Sequence, residues 1–214
     1  MIKNVIFDFG NVFIEWNPRR IFRQIIPEKD IENFMQTVWR DEWNSNLDSG
    51  ISFVENERIL LAKYPQYKEY ILYYLQHWYE SLSEEYPESV ALLTEVQQAG
   101  YATFGLSNWP AETFPPTMEK HPFFKTLNGI VLSGEERVCK PDPKIYQILL
   151  KRYRLIPEEC IFIDDRQENL DTAQQLGIET ILFRTVEQVR DELKRKGTNL
   201  QIHKKDCNFA ANLM

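Results

Sequence analysis

Three aspartates follow runs of apolar residues that have the composition of buried strands. Asp8 directly follows the run VIF, and Asp164 and Asp165 follow the run CIFI. Two adjacent carboxylates repel each other, so such a pair is costly behind apolar residues unless a cation lies nearby. Carboxylate oxygens are the ligands that Mg²⁺ prefers, and an aspartate can also attack phosphorus as a nucleophile. Read singly, Asp8 is equally a strand terminator, and the less favoured alternative for one acid of the pair is a helix cap.

Two further segments carry groups that suit a phosphate. Ser107 and Asn108 follow the strand-like run YATFGL, and Lys140 stands in the segment KPDP just before a predicted helix. The Ser107 hydroxyl, the Asn108 amide and nearby backbone N–H groups are donors for phosphate oxygens. The Lys140 ammonium is suited to neutralise charge on a transferring phosphoryl group. Taken alone, these are also ordinary turn residues and an ordinary surface lysine.

Taken together, the residues predict one reaction. A phosphate monoester repels a carboxylate nucleophile, and Mg²⁺ held by Asp8, Asp164 and Asp165 would remove that repulsion. Lys140 would keep Asp8 ionised, and Ser107 would bind phosphate oxygens. We therefore expect Asp8 to form an aspartyl-phosphate that water later cleaves.

This chemistry requires the residues to meet at one edge of a sheet. Residues 3–8 and the segments YATFGLS, NGIVLS, CIFIDD and IETILF have the pattern of strands, and amphipathic helices alternate with the later ones. The alternation predicts an α/β fold with a Rossmann-like parallel sheet that is covered on both faces. In such sheets, ligands bind beyond the carboxyl ends of the strands, where the candidate residues stand.

Residues 17–83 interrupt the alternation. They contain four helix-like stretches, almost no strand pattern and many aromatic residues. We expect an inserted all-helical cap whose aromatic side chains form its own core. Residues 1–16 and 84–200 would then form the catalytic core, and residues 201–214 an irregular tail.

Composition narrows the class of protein. The 214 residues carry a formal net charge of −7, whereas a nucleic-acid partner requires a basic face. No window approaches the length of a membrane span, and the first residues lack the pattern of a secretory signal. Three widely spaced cysteines favour reduced thiols over a disulfide framework. We expect a cytoplasmic protein whose partner is a small phosphorylated metabolite; the sequence carries no indication of oligomeric state.

The same residues, in this order, resemble the motifs of the haloacid dehalogenase-like (HAD) hydrolase superfamily. FDFGNV resembles the first motif with Asp8 as nucleophile, and LSN resembles the second with Ser107 as phosphate binder. KPDP resembles the third motif with Lys140, and FIDDRQEN resembles the fourth with Asp164 and Asp165 as metal acids. The resemblance extends to about residue 196 and implies a Mg²⁺-dependent hydrolase.

The helical insertion also resembles a known arrangement. Residues between the first and second motifs match the C1 cap of this superfamily, which implies a lid that excludes water and selects substrates. The segment WNPRR after the first motif resembles subfamily IA, a branch that includes sugar-phosphate phosphatases. The resemblance therefore implies phosphatase activity on a small sugar phosphate.

Gly10 departs from the usual motif. Phosphatases of this superfamily carry a second aspartate there as general acid and base, whereas glycine offers only its backbone carbonyl to the metal. General acid–base catalysis typically contributes about 10²- to 10⁴-fold in rate. Asn11 and Glu15 are nearby candidates for a substitute. An anomeric phosphate needs less protonation on leaving, so a sugar 1-phosphate is the favoured substrate.

Other activities would use the same residues differently. A 2-haloacid dehalogenase attacks carbon with the same aspartate and needs no Mg²⁺, but its fourth motif typically carries Ser-Ser-Asn where this chain has Asp164 and Asp165. A degenerate, non-catalytic binding protein is suggested by Gly10, although a scaffold has no reason to keep so many mutually repelling acids. A phosphate-transferring mutase is disfavoured because it depends on the absent acid.

Four residues outside the motifs are weaker candidates. Arg40, Trp43 and Asn44 precede the turn LDSG in the cap and could reach a substrate, with packing or a surface position as the alternative. His121 precedes a proline, and we expect it to be structural or exposed.

Overall fold

The computed structural model describes residues 1–200, and a parallel sheet of five strands forms its centre. The strands of this part of the chain are β1 (Asn4–Phe7), β2 (Ile14–Trp16), β3 (Leu82–Glu85), β4 (Ala102–Ser107), β5 (Gly129–Leu132), β6 (Cys160–Asp164) and β7 (Glu179–Leu182). The sheet has the order β5-β4-β1-β6-β7, and each of its pairings is parallel. The predicted α/β class and each predicted strand are confirmed.

Helices cover the sheet and form the segment between β2 and β3. They are α1 (Arg19–Phe22), α2 (Glu28–Thr37), α3 (Glu42–Asp48), α4 (Phe53–Lys63), α5 (Lys68–Gln76), α6 (Pro87–Gln98), α7 (Phe114–Lys120), α8 (Ser133–Glu136), α9 (Pro143–Tyr153), α10 (Gln167–Gln175) and α11 (Val186–Arg195). Five of them, α1 to α5, lie within residues 17–83, where the sequence indicated four. The additional helix arises because the stretch between Pro27 and the LDSG turn forms two helices, α2 and α3, and not one.

Side chains of β1 alternate between two buried faces. Val5 and Phe7 belong to one apolar cluster, which includes residues of α6 and α11. Ile6 belongs to a second cluster, which includes residues of α9 and α10. Because both faces are covered, the strand needs apolar residues at consecutive positions, and this explains the unbroken run VIF.

The five helices of residues 17–83 have an aromatic interior. Trp43 and Tyr74 are fully buried, and the ring centroids of Phe22 and Trp39 lie 5.0–6.2 Å from theirs. These side chains and those on the Val5 face of the sheet form one continuous apolar cluster. The aromatic residues therefore pack as the sequence indicates, and they also join the helical segment to the sheet.

A two-stranded antiparallel ribbon lies where the helical segment begins and ends. In it, Ile14 pairs with Glu85 and Trp16 pairs with Leu82. Neither strand is predictable from the sequence, because each has three or four residues and shows no apolar alternation that would distinguish it from a loop.

No helix within residues 1–200 combines the length and the apolar content that a bilayer crossing requires. Cys139 and Cys160 are free thiols. The predicted irregular tail, residues 201–214, lies outside the described residues.

Candidate active site

The three predicted acids meet at the carboxyl ends of two adjacent strands. Asp8 directly follows β1, Asp164 ends β6, and β1 and β6 are hydrogen-bonded neighbours. One oxygen from each of Asp8, Asp164 and Asp165 lies within 4.8 Å of the others. Because β1 and β6 are parallel neighbours, acids more than 150 residues apart in the sequence form one cluster.

Lys140 reaches this cluster from the loop between α8 and α9. Its Nζ lies 2.9 Å from Asp8 Oδ1 and 2.6 Å from Asp164 Oδ2. The lysine is 5% exposed, so the structure excludes the alternative of a solvated surface residue. An ammonium buried this deeply requires the two carboxylates as charge partners.

The balance of charge perturbs each ionisable group. The pKa of Asp8 is raised to about 7: burial is the largest cause, Lys140 opposes it, the charges of Asp164 and Asp165 add to it, and the Ser107 hydrogen bond lowers it. Burial also raises the pKa of Asp165. Burial opposes the charged form of Lys140, but the carboxylates of Asp164 and Asp8 outweigh it and raise the lysine pKa. Three acids and one ammonium thus leave the cluster with excess negative charge.

The donor set fits a hard divalent cation. Each of the three side chains offers an oxygen, and the three oxygens lie within 4.8 Å of one another, close enough for one Mg²⁺ to bind them together. Asp8, Gly10 and Asp165 line the cavity in front of the cluster, whereas Asp164 is fully buried behind it. The Gly10 carbonyl as a ligand stays a prediction.

Two asparagines hold the acids in place. Asn169 Nδ2 donates to both oxygens of Asp164 at 2.9 Å, and the backbone N–H of Arg166 donates to its Oδ1 at 2.8 Å. Asn11 Nδ2 donates to Asp165 Oδ2 at 3.1 Å from a residue with φ of 57°, a left-handed conformation that asparagine tolerates better than most residues. Neither role was predicted from the sequence, although Asn169 stands one helical turn after the acidic pair, where an amide can reach back to it.

The two substitutes suggested for the missing acid are engaged elsewhere. The amide of Asn11 is bonded to Asp165, and it also accepts from the Trp16 backbone N–H at 3.3 Å. Glu15 forms an ion pair with Arg20 and is absent from the cavity wall. Neither residue takes the place of an acid at position 10.

Ser107 ends β4, on the other side of β1 from β6. Its hydroxyl donates to Asp8 Oδ1 at 2.7 Å, and the backbone N–H of Phe9 donates to the same oxygen at 2.7 Å. With Lys140, Asp8 Oδ1 therefore receives three donors. Within residues 1–200, no donor contacts Asp8 Oδ2, which leaves this oxygen available to react.

Asn108 lines the cavity but uses its amide to hold the lysine loop. Its Oδ1 accepts from the Lys140 backbone N–H at 2.8 Å, and its Nδ2 donates to the Lys140 carbonyl at 3.0 Å. This reciprocal pair fixes where the Lys140 side chain starts. A direct contact of Asn108 with substrate stays a prediction.

The cavity of about 320 Å³ extends from the acids to the helical segment. Its far wall contains Asn44, Ser45 and Asp48 of α3, Asp41 just before this helix, and Trp78. Of the weaker sequence candidates, only Asn44 lines it. Three residues lie elsewhere: Arg40 donates to the Trp39 carbonyl, Trp43 is in the aromatic interior, and the buried His121 bonds Glu85.

The chain matches the family model of haloacid dehalogenase-like hydrolase over residues 5–183. It is 28% identical to sesquiterpene phosphatase astK from Aspergillus oryzae, over 82% of this chain and 87% of that protein. It is 25% identical to D-ribitol-5-phosphate phosphatase from Bacteroides thetaiotaomicron, over 84% of this chain and 91% of that protein. Identity to acyl-CoA dehydrogenase family member 10 from Mus musculus is 35%, but the match spans 48% of this chain and 9% of that longer protein.

Solved structures with two chemistries share the fold. HAD family enzyme bt-2542 from Bacteroides thetaiotaomicron, in complex with magnesium and inorganic phosphate, superposes with a TM-score of 0.66 at 21% identity, over 86% of this chain and 95% of that one. L-2-haloacid dehalogenase from Xanthobacter autotrophicus superposes with a TM-score of 0.64 at 18% identity, over 92% and 84%. At these identities the superpositions establish the fold alone.

Proposed function

Because this chain belongs to the haloacid dehalogenase-like hydrolase family, we propose that it is a Mg²⁺-dependent phosphatase of small phosphate monoesters. The observation that carries the proposal is the buried cluster in which Lys140 Nζ lies between Asp8 and Asp164, with Asp165 beside them. This cluster supplies a nucleophile, a cation for the phosphoryl group and an all-oxygen site for a metal.

The acids favour a phosphatase over a dehalogenase. A haloacid substrate is itself an anion, so Asp165 and Asp164 near it would raise the barrier unless a cation were bound. A phosphatase uses the same acids as metal ligands. Two phosphatases among the relatives also align with more than four fifths of this chain.

In the proposed mechanism, each residue has a task that its contacts support. Lys140 opposes the effect of burial and favours the ionised form of Asp8. Three donors on Asp8 Oδ1 orient the carboxylate so that Oδ2 attacks phosphorus. The bond from phosphorus to the leaving oxygen breaks, and an aspartyl-phosphate forms on Asp8. Water then attacks this phosphorus, which releases inorganic phosphate and restores the carboxylate. When bound by Asp8, Asp164, Asp165 and the Gly10 carbonyl, Mg²⁺ would supply positive charge against the repulsion between carboxylate and phosphate.

The substrate we propose is a small sugar or polyol phosphate. The cavity volume of about 320 Å³ suits a ligand of this size, and Asp41, Ser45 and Asp48 give its far wall a polar character. One relative is a D-ribitol-5-phosphate phosphatase. Residues 17–83 would act as the cap that selects the leaving group, and residues 1–16 and 84–200 as the catalytic core.

The test is hydrolysis of p-nitrophenyl phosphate by the native chain, Asp8→Asn and Asp171→Asn, each with Mg²⁺ and with EDTA. Asp171 is an exposed aspartate of α10, so its variant controls for the loss of any one charge. We expect activity only with Mg²⁺, and only in the native chain and the Asp171 variant. Activity that persists in Asp8→Asn would overturn the nucleophile, and activity in EDTA would overturn the metal. Chloride release from a 2-chloroacid in EDTA would favour the dehalogenase instead.

A further inference from the structure

The backbone at Gly10 leaves room for a side chain that the protein does not have. A Cβ added at this glycine would meet no atom within 4 Å, and its φ is not in the left-handed region that requires glycine. Packing therefore does not explain the absence of an acid here. The proposed reaction still needs a group that protonates the leaving oxygen and later deprotonates water.

Asp48, the last residue of α3, brings a carboxyl group to the opposite wall of the same cavity. Asn44, one helical turn earlier, donates through Nδ2 to Asp48 Oδ2 at 2.9 Å. The other end of the Asn44 amide accepts from Tyr74 Oη and Trp78 Nε1, both at 2.7 Å. These two buried donors fix which way the Asn44 amide faces, so that its NH₂ group holds Asp48.

The second oxygen of Asp48 lacks a partner. Its Oδ1 is buried and has no hydrogen-bond partner among residues 1–200. A buried carboxylate oxygen without a donor is unfavourable, whereas a neutral carboxylic acid carries its own proton and meets a smaller cost. The environment therefore favours an acid that holds a proton until a ligand accepts it.

The charges that face Asp48 agree with this state. Burial raises the pKa of Asp48 to about 7; the Asn44 hydrogen bond lowers it, the charge of Asp8 raises it, and Lys140 and Arg166 lower it. Two more ionisable groups lie near Asp48, because its charge raises the pKa of Tyr74 and that of Cys139. An acid of this kind is matched to proton transfer near neutral pH.

We infer that Asp48 is the acid and base for the leaving group, acting from the helical segment in place of a side chain at position 10. This inference rests on the proposed phosphatase function. As Asp8 Oδ2 bonds to phosphorus and the leaving oxygen departs, the Asp48 carboxyl gives that oxygen its proton and becomes a carboxylate. The carboxylate then takes a proton from the water that attacks the aspartyl-phosphate, so that inorganic phosphate is released and Asp48 regains its acid form.

The experiment compares two leaving groups in one sample. We measure kcat/KM of the native chain and of Asp48→Asn for p-nitrophenyl phosphate, whose nitrophenolate leaves without a proton, and for ribitol 5-phosphate, whose alkoxide needs one. Because kcat/KM covers the steps up to release of the leaving group, we expect about a 10²- to 10⁴-fold loss for ribitol 5-phosphate and less than about tenfold for p-nitrophenyl phosphate. The ratio of the two values does not depend on the folded fraction.

The matched control is Asp171→Asn, which alters an exposed aspartate of α10 that does not line the cavity. We expect it to change both kcat/KM values by the same factor. Equal losses for the two substrates in Asp48→Asn, or no loss, would overturn the inference and leave the proposed function standing. If the native chain hydrolyses neither of the two substrates, the proposed function itself is overturned.

Two further readouts separate proton transfer from a structural role. With p-nitrophenyl phosphate, Asp48→Asn should show a burst of nitrophenol and then slow turnover, because the base for the attacking water is lost. The double variant with Gly10→Asp and Asp48→Asn should have a kcat/KM for ribitol 5-phosphate at least about tenfold higher than that of Asp48→Asn alone. A folded double variant that regains nothing would overturn the claim that the two positions serve one step.

Discussion

Replacement of Asp8 by asparagine should make the metal-free protein more stable at alkaline pH while it abolishes turnover. The pKa of Asp8 is about 7 against an ordinary value of 3.8, chiefly because the carboxyl is buried. Each pKa unit corresponds to about 1.36 kcal/mol, so holding this group ionised at pH 8 costs the folded state about 4 kcal/mol. Asparagine retains an oxygen for the Ser107 and Phe9 donors but carries no charge.

The expected gain is smaller than this figure. Lys140 loses one of its two carboxylate partners in Asp8→Asn and keeps Asp164 at 2.6 Å, which offsets part of the benefit. We expect the free energy of unfolding at pH 8 to rise by about 1–3 kcal/mol. Below about pH 4, Asp8 is protonated in the folded and unfolded states alike, so the difference should vanish.

The sign of the pH dependence follows from proton binding. Between pH 4 and 7 the folded state binds the Asp8 proton more tightly than the unfolded state, so the native protein loses stability as pH rises through this range. Urea unfolding in EDTA at pH 5 and pH 8 measures the difference in free energy of unfolding between Asp8→Asn and the native protein, with Asp171→Asn as the control. An Asp8→Asn protein that is less stable than the native one at pH 8, or a difference of equal size at both pH values, would refute the reasoning.

Two further predictions concern the asparagines that position acids. Asn169→Ala removes the donor to both oxygens of Asp164 and should raise the Mg²⁺ concentration for half-maximal activity by about 10- to 100-fold; an unchanged Mg²⁺ titration would contradict this. Asn44→Leu leaves Tyr74 Oη and Trp78 Nε1 without an acceptor and should lower the free energy of unfolding by about 2–6 kcal/mol; urea unfolding that shows a loss below about 1 kcal/mol would contradict it.

The sheet was predictable because its signals are local. Short, mostly apolar runs show the buried strands, and the carboxyl end of a parallel strand is a known place for ligands. These two rules predict that Asp8, Ser107 and Asp164 lie at the same edge of the sheet. The strand order, which the rules do not give, places β4 and β6 on either side of β1.

What the sequence did not predict depends on contacts between distant residues. The Asn108 amide would bind phosphate in a loop considered alone, but the fold brings it to the backbone of Lys140, 32 residues later. Asp48 carries no motif, and its place in the cavity wall depends on how α3 packs over the sheet. Trp43 and Asn44 are adjacent in sequence, yet helical geometry turns one into the aromatic interior and the other towards the cavity.

The ribbon of β2 and β3 constrains how the helical segment can move. The chain leaves the sheet through Ile14–Trp16 and returns through Leu82–Glu85, and these two strands are hydrogen-bonded to each other. Two separate linkers would allow the segment to slide and rotate independently, but a paired connection must bend or twist as a unit. We therefore expect one hinge rotation of the helical segment to govern access to the acids. This rotation would move Asp48 and Asn44 together, towards or away from Asp8.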